Sequence, residues 1–161
     1  MVRVVAGLLF LGLIFGLVRA DDKNKSSYEL SKEEKTLLTL TNDERTKEEL
    51  RPLEPHPLLM QIAREHSANM ARQGKMTHKL DGKGPAERAK GAGYRYARIG
   101  ENVAWSQGGT LKEILKGWMN SPAHRANIMN KDYREIGLGV AENDKGEKYY
   151  TQVFGRRLQV K

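Results

Sequence analysis

The sequence predicts an α+β domain, with helices first and a small antiparallel sheet in the second half. Two patterns carry that reading. Between Pro57 and about Arg72, the residues Leu59, Ile62, Ala63, His66 and Met70 recur at i, i+3, i+4, i+7 and i+11, one face of an amphipathic helix. Near the C-terminus, "EIGLGVAEN" and "EKYYTQVFG" read as strands joined by the turn "NDKG". A third observation bounds the size. The chain has 161 residues, 39% hydrophobic and 30% charged, with no cysteine, which fits one domain that buries enough apolar surface to dispense with disulfides.

Taken in order, the first 20 residues read as a secretory leader: a basic start, the uncharged run Val4 to Val18, and small residues before Asp21. That run falls short of the roughly 20 apolar residues that span a bilayer, so no transmembrane anchor is expected after cleavage. Losing Arg3 and Arg19 lowers the net charge from +8 to +6. Lys and Arg are interleaved with Asp and Glu, and with secretion this argues against a nucleic-acid partner. Residues 21–33 form a polar linker, the domain proper is expected over 34–157, and 158–161 are a tail.

Ser31 with Glu34 is a capping box opening a first helix, whose Leu37, Leu38 and Leu40 face a core. That helix is expected to run to about Leu50, where the prolines of "RPLEPHP" end it. In the second helix His66 lies on the apolar stripe and reads as a packed, hydrogen-bonded histidine. His56, between two prolines, reads as exposed and inert. Gly74 closes the second helix. A short helix is expected near Pro85–Lys90, an extended segment at "RIGENVAW", a turn at "SQGG" and an amphipathic helix at "TLKEILKGWMN". Gly137 and Gly139 alternate with Ile136, Leu138 and Val140, so one face of that strand lacks side chains and suits close approach by another element.

Candidate chemistry gathers around "GWMNSPAHRANIMN". Ser121 is a preferred N-cap and Pro122 fits the first helical position, which makes His124 the third residue of a new helix. A helix N-terminus disfavours positive charge, so His124 is expected to lean toward the neutral imidazole. Glu101 shares a strand face with Val103 and Trp105, and if that face is buried the carboxylate needs a partner. His78 lies in a loop on no visible stripe. Two histidines and a glutamate suit zinc with a fourth position left for water, and equally suit plain hydrogen bonding. Their spacing matches no compact metal motif.

In this order and spacing, "NDER", "HPLLMQIAREHSANMA", "MTH", "GENVAW", "GWMNSPAHRANIMN", "EIGLGV" and "YYTQVFG" make the sequence resemble the CAP superfamily. This is the group of cysteine-rich secretory, antigen 5 and pathogenesis-related 1 proteins, and the resemblance is to its cysteine-free bacterial-type members, or SCP domains. It runs from about Leu37 to Gly155. It implies a three-layer α-β-α sandwich with a small central antiparallel sheet. It also implies a cleft with two histidines and acidic groups, which takes a divalent metal in some relatives. By motif, His78, Glu101 and His124 fall on cleft positions. The further glutamate that many eukaryotic relatives carry after the helix tryptophan falls here on Ser121, which leaves the four-residue set incomplete.

Members of that family share the fold across varied roles with no single chemistry, and the reading favoured here is a secreted or cell-envelope binding module rather than an enzyme. Its cleft of His78, Glu101, Asn102, Ser121 and His124 would take a divalent metal or a small ligand. No cofactor is required; zinc on His78 and His124 is the one these residues suit. Lipid, cell-wall polymer or another protein are the expected partners. The alternative is a metal-assisted, protease-like hydrolase in which His78 and His124 hold zinc and Glu101 is the general base. A Ser121 nucleophile is set aside because a cap explains that serine. Arg125 is expected to tie a carboxylate, Asn127 to satisfy backbone groups, Asn102 to brace the cleft rather than contact a ligand, and Tyr149, Tyr150 and Phe154 to pack.

Overall fold

The computed structural model describes residues 29–158. The leader expected over 1–20, most of the linker and the last three residues lie outside that range. The described chain forms five helices and four strands: α1 (Lys32–Lys47), β1 (Glu54–Pro55), α2 (Pro57–Gln73), α3 (Pro85–Gly91), β2 (Tyr96–Gln107), α4 (Leu111–Asn120), α5 (Pro122–Ile128), β3 (Glu135–Glu142) and β4 (Glu147–Arg157). One sheet runs in the order β1-β3-β4-β2. Its three long strands are antiparallel, and the two-residue β1 joins the edge of β3 in parallel.

Strand alternation divides the sheet into two faces, and each takes a helical layer. Ile136, Leu138, Tyr150 and Phe154 pack with Leu37 of α1, Ile114, Leu115 and Trp118 of α4, and Ile128 of α5. Val153, from the opposite face, packs with Leu59, Ile62 and Ala63 of α2 and Ala89 of α3. Val103 and Tyr149 meet Met70, Ala71 and Leu80 on that same side. The result is the expected α+β arrangement, a sheet between two layers of helices.

The missing side chains of β3 set the distance between sheet and α2. A Cβ on Gly137 would overlap the Leu59 carbonyl and lie 2.7 Å from the Met60 nitrogen. One on Gly139 would overlap the Ala63 carbonyl in the same way. The α2 backbone therefore rests directly on the strand backbone, as the alternating glycines suggested.

Most of the caps follow the sequence. Ser31 and Glu34 close the reciprocal box at the start of α1, as do Thr110 and Glu113 at α4. Gly74 ends α2 in the left-handed region. However, α1 stops at Lys47, short of the prolines, because Glu49 turns the chain with a φ of 55°. His56 is also not inert. It is half-buried, its Nδ1 accepts from the Leu58 N–H at 3.3 Å as the N-cap of α2, and its ring meets Tyr94 edge-on.

Arg45, within "NDER", is fully buried and has no carboxylate partner among the described residues. Its Nε donates to the Arg51 carbonyl, and its Nη1 donates to those of Ile128 at 2.6 Å and Asn130 at 3.0 Å. A guanidinium placed on the last carbonyls of a helix satisfies groups that the helix itself leaves open. Arg45 thereby locks α1 to the end of α5, the helix that carries His124. Burial lowers its pKa from the ordinary arginine value.

Candidate functional site: a cleft across the edge strand

β2 is an edge strand, and successive residues of a strand point to opposite faces. Glu101 and Asn102 therefore reach into different helical layers, and each holds one of the two candidate histidines. Glu101 pairs in register with Val153, on the α2–α3 face. Its Oε1 accepts from His78 Nδ1 at 2.9 Å, and its Oε2 pairs with Arg88 Nη2. Asn102 projects toward α5, where its Nδ2 donates to the His124 carbonyl at 3.2 Å and to Gln152 Oε1 at 3.2 Å. The two histidines thus approach from opposite layers around one strand edge.

An edge strand leaves backbone groups unpaired, and here they are covered. Asn127 Nδ2 donates to the Glu101 carbonyl at 3.1 Å and to Asn102 Oδ1 at 2.9 Å. Trp118 Nε1 donates to the Val103 carbonyl at 3.1 Å. Gly100 is needed because a Cβ there would overlap the Tyr133 hydroxyl and lie 2.9 Å from Asn127 Oδ1. The motif "GEN" is therefore a glycine for access, an acid for one layer and an amide for the other.

Exposure separates contact groups from supports. The His78 side chain is 52% exposed, whereas that of Glu101 is 1% exposed. His124 is half-buried and Asn102 fully buried. Asn102, grouped with the cleft residues as a brace, lies beneath the cleft and holds a chain of hydrogen bonds that continues through Gln152 to Thr41. Ser121 is half-buried at the junction of α4 and α5. Its extended backbone makes the turn, but its hydroxyl does not cap α5, contrary to expectation. Arg125 pairs with Glu48 at 3.1 Å as expected. That face is buried only in part: Trp105 is exposed, beyond the cover that Met70, Ala71 and Leu80 give Val103.

Two residues of the network carried no functional signal in the sequence. Arg88 sits on α3, and besides Glu101 its Nη1 holds the His78 carbonyl at 3.0 Å and that of Lys83 at 2.8 Å. It fixes both the loop that carries His78 and the acid that orients the ring. His66 is packed, as its stripe indicated, and its Nε2 meets the Thr77 carbonyl at 2.9 Å. The same nitrogen lies 3.8 Å from Glu101 Oε1, so His66 borders the network from below.

Burial pushes the His66 pKa below the ordinary histidine value, opposed in part by Glu101. His124 is lowered too, first by burial and then by the neighbouring His78. The lowered value agrees with the neutral lean expected of His124, and burial is its first cause. Burial likewise lowers His56. The folded state resists protonating all three, while the unfolded chain takes protons near pH 6.5. Their contribution is therefore complete above pH 6.5 and is lost as pH falls below it. The denaturation midpoint should drop between pH 7.5 and pH 5. His66 alone contributes a slope of at most about 1.4 kcal/mol per pH unit. Equal midpoints at both pH values would contradict this.

The profile of the Cysteine-rich secretory protein (CAP) family matches residues 38–154. This chain belongs to the CAP family. It is 37% identical over 124 residues to the uncharacterized Bacillus subtilis protein YkwD, covering 76% of this chain and 47% of YkwD. It is 33% identical over 125 residues to the B. subtilis membrane protein YlbC, covering 77% of this chain and 34% of that protein. The chain thus spans about half or less of the length of these relatives. Among solved structures, an outer surface protein of Borrelia burgdorferi superposes with a TM-score of 0.75 at 25% identity, over 81% of this chain and 96% of that one. An extracellular SCP-domain protein of Bacillus anthracis gives 0.68 at 26% identity, over 81% of this chain and 45% of that one.

The residues that match the profile all lie within the described range, and among the described residues no helix is long and apolar enough to cross a membrane. A metal that the family implies must be tested against the donors present. His78 offers only Nε2, since Nδ1 is held by Glu101, and His124 adds a second imidazole. Both Glu101 oxygens are engaged, and position 121 carries a hydroxyl. Among the described residues no three His, Asp or Glu side chains are grouped to hold a metal. Catalytic zinc takes three protein ligands, so this donor set does not fit a resident zinc.

Proposed function

We propose that this CAP-domain protein is a secreted, non-enzymatic binding module whose cleft takes a small polar ligand between His78 and His124. The observation that carries this reading is the state of Glu101. Its carboxylate is buried and committed on both oxygens, to His78 and to Arg88. An acid so engaged orients an imidazole and is not poised to deprotonate a water. What remains at the surface is the half-exposed ring of His78, with its Nε2 edge away from Glu101, and the half-buried ring of His124. Two imidazoles on rigid supports make a recognition site for hydrogen-bonding groups. Secretion is supported by the leader-like first 20 residues and by relatives described as outer surface and extracellular proteins.

The test is ligand-induced stabilisation. The mature protein is melted against short-chain phospholipid dispersions and soluble cell-wall fragments, beside His78→Ala and His124→Ala. At least one probe should raise Tm in the native protein and in neither variant, with all three folded. Hydrolysis of a probe that stops in Glu101→Gln would replace this reading with the hydrolase.

A further inference from the structure

Along the sequence basic and acidic residues are interleaved, but the fold gathers basic ones at one end of the sheet. Arg98 pairs in register with Arg156, and Tyr96 with Arg157. The Leu158 N–H donates to the Arg95 carbonyl, and the Arg134 N–H to that of Gly155. Lys131 precedes Asp132, which pairs with Arg98 at 3.3 Å and with Arg156 at 3.8 Å. Arg95, Arg98, Lys131, Arg134, Arg156 and Arg157 are all exposed.

Two acids, Asp132 and Glu135, stand among these six cations. The excess of four is half of the chain's net charge of +8. At the margin Arg51 and Glu54 neutralise one another at 3.2 Å. Glu135 is buried and fully engaged, with Oε1 on Arg157 Nε at 2.8 Å and Oε2 accepting from the Tyr94 hydroxyl at 2.7 Å. It fixes Arg157 and leaves no free oxygen toward solvent. Asp132 offsets one of the two charges beside it. Arg95, Lys131 and Arg134 have no acid partner among the described residues. Such a patch repels itself and attracts anions.

The chemistry narrows the anion. Five of the six cations are arginine, whose planar fork matches phosphate oxygens. Arg134, Glu135, Arg156, Arg157 and Leu158 line a cavity of about 340 Å³. Arg156 and Arg157 are consecutive and leave their strand on opposite faces, so their guanidinium groups start from different directions. A tetrahedral phosphate offers oxygens out of any single plane, whereas a carboxylate accepts best near its own plane. The cations also curve around the end of the sheet, a path that a flexible chain follows and a flat bilayer does not.

We propose that this end of the sheet docks a linear phosphodiester polymer of the cell exterior, with one phosphate at the cavity and its neighbours along the flanking cations. This rests on the secretion proposed above and not on the reading of the cleft, with which it shares no residue.

The test is calorimetric titration of the mature chain with poly(glycerol phosphate) over a series of sodium chloride concentrations. Polyglutamate of equal charge and phosphatidylglycerol vesicles are the alternative partners. The expected result is saturable binding to the phosphate polymer that weakens steadily with salt, and weaker binding to the other two. The Arg95 and Lys131 side chains form no hydrogen bond or ion pair among the described residues, so Arg95→Gln with Lys131→Gln should fold. That double variant should lose affinity at least about tenfold, and Arg134→Gln should weaken binding in the same direction. Lys112→Gln with Lys116→Gln, at exposed positions of α4, removes as much charge and should bind within about twofold of the native protein. His78→Ala should also bind the polymer normally, which keeps this outcome separate from the fate of the cleft. No saturable binding to the polymer, or equal or tighter binding to polyglutamate or vesicles, overturns the proposal. A loss in the α4 variant or in folded His78→Ala as large as in the Arg95 and Lys131 variant overturns it equally.

Discussion

Gly137→Val is expected to destabilise the protein by about 3 kcal/mol, near the upper end of overpacking costs. The obstacle is backbone, since the new side chain would enter the Leu59 carbonyl, and α2 cannot withdraw without leaving Val153 and Tyr149 uncovered. Gly139→Val should behave alike against Ala63. The control is Gly117→Ala on α4, where a Cβ has open space around it. That change should be neutral or stabilising by up to about 1 kcal/mol, the helix preference of Ala over Gly. Urea denaturation with a common slope checks all three. A Gly137→Val midpoint equal to that of the native protein would mean that α2 does not rest on β3 as described.

Glu101→Ala should cost about 3–5 kcal/mol, the penalty for leaving a buried charge without its partner. The Arg88 side chain is only 12% exposed and would lose its single carboxylate among the described residues. His78→Ala should cost less than about 1 kcal/mol, because that ring is half-exposed and its pair with Glu101 is screened on one side. Glu101→Gln should fall between them, retaining the shape but not the charge. The order Glu101→Ala, Glu101→Gln, His78→Ala separates a brace from a contact residue. A Glu101→Ala protein as stable as the native one would remove the brace.

The sequence made some of this legible for identifiable reasons. Gly137 and Gly139 showed because strand period is two and their neighbours are apolar. Glu101 showed because an acid flanked by Val103 on its own face must find a partner. The partner itself did not show. Arg88 lies on a seven-residue helix, too short to display a stripe, and its pairing depends on how α3 docks beside β2. His66 was legible as packed, but its approach to Glu101 is tertiary. Asn102 was legible as a brace, but its partners were not. Strand alternation sends it to the layer opposite Glu101, to Gln152 and the His124 backbone. β1 could not be read because two residues among prolines carry no period.

The central claim is that the cleft presents two imidazoles for a ligand and does not house a catalytic metal. The most direct measurement is calorimetric titration of the mature domain with zinc near neutral pH, beside His78→Ala and His124→Ala. The account predicts no saturable heat in any of the three. One-to-one binding to the native protein that disappears in both folded variants would contradict it and return Glu101 to consideration as a base.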